Sequence, residues 1–426
     1  MKLGIDGFHY RDLYDHQRLG DLTIAFDRYV ERNDAPLFGR FDSYRFAMQS
    51  GIAHGGLNEP EESALLIDLS RHLAAFLGQL FHTDQAAVKS RTGRDNQVAR
   101  FKKEFVAKRV AKVQNVAADP DRLGPAVDAL IRTVAGAQER DFEYALSVTA
   151  NRLLDFEREY PRGATRAATP SEQTRAALDQ LRDALRLSGA AFPEIVTHAE
   201  RADSPEALGR EAAAVHALID LLVDWTAAEW KSGNFKNWTS FRLPKPVAFD
   251  KLVDTVPADN LRVVGREEHY RRRDGFKLTD NRYTTREVTD EANYCIFCHE
   301  RKKDSCNHGF VEKEGKYKPN PLGVPLNGCP LDERIGEMNV LRAEGDAIAG
   351  LAMVMIDNPM VPGTGHRICN DCMKACIYQK QDPVNIPQIE TGMLTDVLFI
   401  PYGFEIYSLL TRWNPLNVRR PIALPY

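Results

Sequence analysis

Seven cysteines carry the chemistry this sequence has to offer. The first 294 residues contain none, and all seven then fall between positions 295 and 376. Their order is Cys295, Cys298, Cys306 and Cys329 in a C-x2-C-x7-C-x22-C-P pattern, then Cys369, Cys372 and Cys376 as C-x2-C-x3-C. A C-x2-C turn brings two thiolates to one inorganic centre. Structural cysteines scattered through a core do not cluster in this way. An odd number cannot all pair within one chain, so a disulfide framework is disfavoured and metal or redox chemistry favoured.

Two inorganic readings compete. One zinc takes four Cys or His ligands in a closed tetrahedron, and His299, His308 and His366 lie near enough in sequence to complete two zinc sites. A pair of [4Fe–4S] clusters needs eight ligand positions, one more than the cysteines supply. The tight C-x2-C-x3-C run and the Pro330 that follows Cys329 favour iron–sulfur.

Around these residues the chain reads as helical. Residues 61–84 place Leu65, Leu66, Leu69, Leu73, Phe76, Leu77 and Leu80 on one stripe. A second helix is expected over 98–115, with Phe101, Phe105, Val106, Val110 and Val113 opposed by a solvated basic face of Lys102, Lys103, Lys108, Arg109 and Lys112. Helix continues through 124–160, breaks in a Pro/Gly/Thr-rich loop at 160–173, and resumes over 203–230. There Asp203 and Glu206 have capping-box spacing, and His216 reads as a core histidine. From about 232 the sequence turns irregular, with a possible hairpin at Asp274-Gly275 and Asp280-Asn281 and a solvated run at Arg271, Arg272 and Arg273. The expected organisation is a helical domain over 1–285 of unassigned role, a metal-binding domain over 286–400, and a C-terminal segment over 401–426.

Composition bounds the partners. With 43% hydrophobic residues, 27% charged residues and a net charge of −4, the chain has no general affinity for nucleic acid or anionic membranes. No secretory leader and no run of 18 apolar residues is read, so a cytoplasmic location is the expectation.

Residues 329–390 add a resemblance. Cys329-Pro330, a helix at 343–356, Asn358-Pro359-Met360-Val361-Pro362, Gly365-His366-Arg367-Ile368-Cys369 and Val384-Asn385-Ile386-Pro387-Gln388-Ile389-Glu390 occur in that order. As a set they resemble the N-terminal iron–sulfur domain shared by the glutamate synthase small subunit and dihydropyrimidine dehydrogenase. The resemblance covers roughly 290–400. It implies a mainly α-helical, ferredoxin-like domain with two [4Fe–4S] clusters whose ligands interleave. Cluster one would take Cys295, Cys298, Cys306 and Cys376. Cluster two would take Cys329, Cys369, Cys372 and Glu390, with Gln388 or Gln379 as alternatives to the glutamate. Ile296, Phe297, Met373, Ile377 and Tyr378 would exclude water, and Arg301, Lys302, Lys303, Arg367 and Lys374 would offset cluster charge.

Two departures from that pattern are visible. Residues 307–328 lengthen the gap between Cys306 and Cys329 and read as an inserted loop. No G-x-G-x-x-G is present; Gly363-Thr364-Gly365-His366-Arg367-Ile368 belongs to the cysteine turn. FAD and NAD(P)H would therefore sit on a domain or subunit outside this chain, which Trp413, Asn414 and Pro415 are expected to face. The function implied is single-electron transfer between a flavin and a further partner, with no NAD(P)H turnover by the chain alone. The alternative is a binding or scaffold protein with two structural zinc ions.

Overall fold

The computed structural model describes residues 3–116, 118–162, 170–198, 204–267, 270, 275 and 281–418. The protein is mainly α-helical and divides into two compact units. One is formed by 1–93 together with 244–426, the other by 94–243.

In the first unit, helices α1 (His16–Asn33), α2 (Ala35–Gln49) and α3 (Glu59–Phe81) lead into α4 (Ala86–Phe101), which runs on into the second unit. The start of α3 is specified locally. Asn58 Oδ1 accepts from the Glu61 backbone N–H at 3.1 Å, and Glu61 Oε2 accepts from the Asn58 N–H at 3.1 Å. Pro60 fits the first turn, and His82 ends the helix in a left-handed conformation. Leu65, Leu69, Leu73, Leu77 and Leu80 of its stripe are fully buried. By length and composition α3 is apolar enough to cross a membrane, but its apolar stripe is consumed by this core.

The second unit holds α5 (Pro120–Ala135), α6 (Phe142–Glu159), α7 (Glu172–Leu187), α8 (Glu194–Thr197) and α9 (Pro205–Lys231). The helix expected over 98–115 is not continuous. α4 ends at Phe101 and gives way to a π-turn at Lys102–Val106 and a 3₁₀ turn at Val110–Lys112. Phe101, Phe105, Val106 and Val110 are buried as their spacing implies, while Arg109 of the basic face is bound to Glu157 at 3.1 Å. The cap of α9 is Ser204, whose side chain accepts from the Ala207 N–H; Asp203 lies outside the described residues. His216 is buried, with Nε2 2.9 Å from the Tyr160 carbonyl.

Returning to the first unit, the chain forms a short antiparallel hairpin, β1 (Thr255–Pro257) with β2 (Val263–Gly265), in a segment expected to be irregular. The hairpin expected further on, and the arginines at 271–273, fall largely outside the described residues. Helices α10 (Thr285–Tyr294), α11 (Ser305–His308), α12 (Ile335–Glu344), α13 (Ala347–Asp357), α14 (Asp371–Lys374), α15 (Ile386–Phe399) and α16 (Gly403–Arg412) complete the unit.

Two sequence expectations are revised here. The division of the chain does not follow a boundary near 285, because the N-terminal helices share one core with α10–α16. Arg71 binds Glu344 at 2.8 Å, Gln85 Nε2 donates to Asp346 at 2.9 Å, and Arg91 meets the buried Asp396 at 2.5 Å. Nor does Trp413 face outward. It is 2% exposed, lies near Phe26 and Phe76, and donates Nε1–H to Thr23 Oγ1 at 2.9 Å. Asn414 Nδ2 donates to the Ala352 carbonyl at 2.8 Å. An indole of this size recovers most free energy when its ring is buried and its N–H paired, and both conditions are met internally.

Candidate metal centre

The cysteines lie on or beside short helices and turns. Cys295 follows the last residue of α10, and its N–H closes on the Glu291 carbonyl at 3.2 Å. Phe297 then takes a left-handed conformation, φ 53°, which turns the chain so that Cys298 opens a 3₁₀ turn at Cys298–Arg301. Cys306 sits on α11, and Cys372 on α14.

The loop between Cys306 and Cys329 closes on itself. Phe310 N–H reaches the Leu326 carbonyl at 2.8 Å, and Leu326 N–H reaches the Lys318 carbonyl at 3.0 Å. Cys329 N–H then approaches the Cys306 and Asn307 carbonyls at 3.0 and 2.8 Å. The excursion therefore returns the fourth cysteine beside the third. Glycine is required at the crossing. Gly328 has φ 78°, and a Cβ there would lie 2.2 Å from the Asn307 carbonyl oxygen.

The cysteines gather in two groups. Cys295, Cys298, Cys306 and Cys376 line one cavity, walled by Ile335, Val384 and Ile386. Beside it Tyr294 and Tyr378 stack with ring centres 4.5 Å apart. Asn339 also lines the cavity; it is fully buried, and its side chain hydrogen-bonds the Cys295 thiol. An amide set against four thiols is suited to orient sulfur ligands. Burial pushes the Cys295 thiol up to about 11 and Cys306 well above its ordinary value. Cys306 Sγ donates to Asp304 Oδ1 at 3.1 Å.

The second group surrounds Cys372. Its thiol is pushed well up, first by burial and then by the nearby Glu390, Cys329, Glu333 and Cys369. Glu390, on α15, is 6% exposed, and burial together with the Glu333 carboxyl holds its pKa well above the usual carboxylate range. Glu390 and Glu333 hydrogen-bond one another, which adds to the rise at Glu390 and opposes it at Glu333. A protonated Glu390 would have to release its proton to bind a metal as an anion. Cys295, Cys298, Cys306 and Cys376 thus line one cavity, and Glu390, Cys329, Glu333 and Cys369 act on the Cys372 thiol.

Other expectations fare unevenly. Gln388 is committed elsewhere, since its Oε1 accepts from the Tyr283 N–H at 3.0 Å. His366 Nδ1 lies 2.9 Å from Thr391 Oγ1, and His308 is 3.9 Å from Asp332. Ile377 is 45% exposed and does not exclude water. Lys374 binds Asp371 at 2.6 Å. Sequence reasoning missed Glu333 and Asn339. The spacing of Glu333, four residues after Cys329, was the available signal; nothing local distinguished Asn339.

Among the described residues, no group of three or more His, Cys, Asp or Glu side chains is drawn together as a single metal ion would require.

Among known families, a model matches at the other end of the chain. Residues 3–82 match the family model described as "RP005 N-terminal alpha-helical domain". This is the helical N-terminal stretch that ends with α3. A segment of 63 residues is 71% identical to "Uncharacterized protein RP006" of Rickettsia prowazekii (strain Madrid E), covering 15% of this chain and 9% of that protein. A segment of 77 residues is 35% identical to "Uncharacterized protein RP005" of the same organism, covering 16% of this chain and 26% of that protein. The chain therefore spans only a small part of the length of these relatives. No solved structure matches.

These findings overturn the resemblance to the glutamate synthase and dihydropyrimidine dehydrogenase iron–sulfur domain. The family match lies at 3–82 and not over 290–400, and the relatives are uncharacterized proteins. The order of short words around the cysteines is not enough to establish shared ancestry.

Proposed function

We propose that this protein is a single-electron transfer module holding two [4Fe–4S] clusters. One would be ligated by Cys295, Cys298, Cys306 and Cys376, the other by Cys329, Cys369, Cys372 and Glu390. The observation that carries the reading is the pairing of distant residues. Cys376 joins a cavity with three cysteines seventy or more positions earlier, and Cys329, tied through its backbone to Cys306, is among the groups that act on the Cys372 thiol. The proposal stands on this interleaving and not on the discarded resemblance.

The donor chemistry fits. Thiols are soft ligands that lose their protons to the metal they bind. The chain's part is to hold them: the Cys295–Cys298 turn fixes two, the Cys329 backbone hydrogen bonds fix a third beside Cys306, and α14 presents Cys372. The Tyr294–Tyr378 stack shields the first group, and Asn339 offers it an amide. When bound, such clusters exchange electrons one at a time, at potentials set by ligand charge, hydrogen bonding and burial. The proposed partner is a flavin-bearing domain or subunit that can deliver single electrons, with a further redox partner receiving them. NAD(P)H turnover by the chain alone is not expected.

Two structural zincs are the competing reading. Each zinc would take four of the Cys and His side chains in a closed tetrahedron. Anaerobic purification with metal analysis separates the two. The expected result is about eight irons per chain and a broad visible absorbance that bleaches on reduction. A colourless protein with two zincs would overturn the proposal.

A further inference from the structure

Next to the cysteine groups lies a second cavity of about 280 Å³ that the proposed electron transfer leaves unused. Its wall is assembled within the first unit from the start of α3, the turn after Cys298, α11 and the start of α12. Five carboxyl side chains line it, Glu59, Glu62, Asp304, Asp332 and Glu337, against the single guanidinium of Arg334. That guanidinium is already engaged, by Asp357 at 2.6 Å and by Glu62 at 3.6 Å. Glu62 in turn accepts from Tyr44 at 2.6 Å and lies 2.6 Å from His54 Nδ1.

Two buried acceptors remain unmatched, beside one buried ring nitrogen without a partner, His299 Nδ1. Glu337 is 4% exposed; Oε1 accepts from Ser63, and Oε2 has no partner. Asn307 is 7% exposed, and its Oδ1 has no partner. A buried carboxylate oxygen and a buried amide oxygen without donors each cost free energy that an incoming donor would recover. The surplus is of acceptors and of negative charge, so the complementary ligand is a cation that donates hydrogen bonds. A bare ion is the poorer fit, because no three His, Cys, Asp or Glu side chains converge on one point among the described residues. The cavity approaches the size of small-molecule sites.

We infer that this cavity binds a small organic cation carrying a primary ammonium or guanidinium group, with Glu337 and Asn307 as its buried acceptors. Asp304 lines both this cavity and the four-cysteine cavity, so the ligand would rest against the wall of the proposed metal centre. The inference does not depend on what the cysteines hold.

Calorimetric titration of the full chain tests it, with agmatine and 1,4-diaminobutane as probes, 1,4-butanediol as the neutral isostere and MnCl₂ as the bare ion. The expected result is saturable one-to-one binding of at least one amine and none of the diol. Glu337→Gln, which keeps an acceptor for Ser63, should weaken amine binding at least tenfold. Asp332→Asn, at a side chain 70% exposed to solvent, should weaken it by a smaller factor and guards against a folding artefact at the buried site. Absence of saturable amine binding, equal affinity in both variants and the parent, or one-to-one Mn²⁺ binding that Glu337→Gln abolishes while amines do not bind, would each overturn the inference.

Discussion

Glu390 and Glu333 form the tightest chemical problem in the molecule. Two carboxyl groups share a buried site with Cys329 and Cys372, and burial raises the pKa of both. If Glu390 is the eighth ligand, Glu390→Ala should lower iron from about eight to about four per chain and remove one EPR signal while the other persists. Glu333→Gln, which leaves Glu390 in place, should retain both signals with one shifted in potential. Two unaltered clusters in Glu390→Ala would reject the ligand assignment. A second residue-scale prediction concerns Glu62. Tyr44, His54 and Arg334 outweigh the opposing effect of burial and lower its pKa. A carboxyl depressed in the folded state stabilises it above the unfolded pKa, and that contribution is lost as pH falls through the folded value. The first unit should therefore lose thermal stability below about pH 4.5, and Glu62→Gln should flatten that part of the profile. An unchanged slope in the variant would contradict it. The C-x2-C turns were legible at this scale because their spacing lets two thiolates converge, whereas the interleaved grouping came only from a resemblance that the comparisons overturn. Asn339 was not, since its neighbours in space come from 295–306 and 376–386, which no local pattern reveals.

At the scale of elements, the excursion between Cys306 and Cys329 decides whether the two cysteine groups can interleave. Gly328 permits the chain to cross the Asn307 carbonyl with φ 78°. Gly328→Ala should destabilise the first unit by about 2–4 kcal/mol and cost metal from both groups, because Cys306 and Cys329 are tied backbone to backbone across that point. Full metal content with unchanged melting would show the tie to be dispensable. The sequence marks this stretch as a long gap between Cys306 and Cys329 and assigns it no role. The nested hydrogen bonds that return Cys329 to Cys306 pair residues eight to twenty-three apart in a Gly- and Pro-rich run without periodicity. The opposite error occurred at 98–115, where apolar spacing was read correctly and helix continuity was not. A π-turn keeps Phe101 and Phe105 on the buried side while interrupting the regular α-helix.

For the whole molecule, the consequence is that the cysteine segment is not an independent domain. α3 lends it a stripe of leucines, and Arg71, Gln85 and Arg91 reach across to Glu344, Asp346 and Asp396. A fragment of residues 286–426 should therefore fail to unfold cooperatively, whereas 94–243, with its own core, should melt as a helical unit. In the intact chain Leu73→Ala should cost about 2–5 kcal/mol and raise metal loss on heating, although Leu73 lies far from any cysteine in sequence. A boundary near 285 was the natural reading of composition, since cysteines begin abruptly just after it. Composition is blind to which buried face meets which, and α3 supplies part of a core whose remaining part begins some two hundred residues later.

Seven cysteines and Glu390 are proposed to hold two interleaved iron–sulfur clusters, and quantitative EPR of the anaerobically purified, dithionite-reduced full chain distinguishes that arrangement from two zinc sites. Two spin systems, with about eight irons per chain, are the predicted result, and Cys376→Ser should abolish one of them although that residue lies seventy or more positions from Cys295, Cys298 and Cys306. An EPR-silent protein carrying two zincs, or a Cys376→Ser variant that keeps both signals, would contradict it.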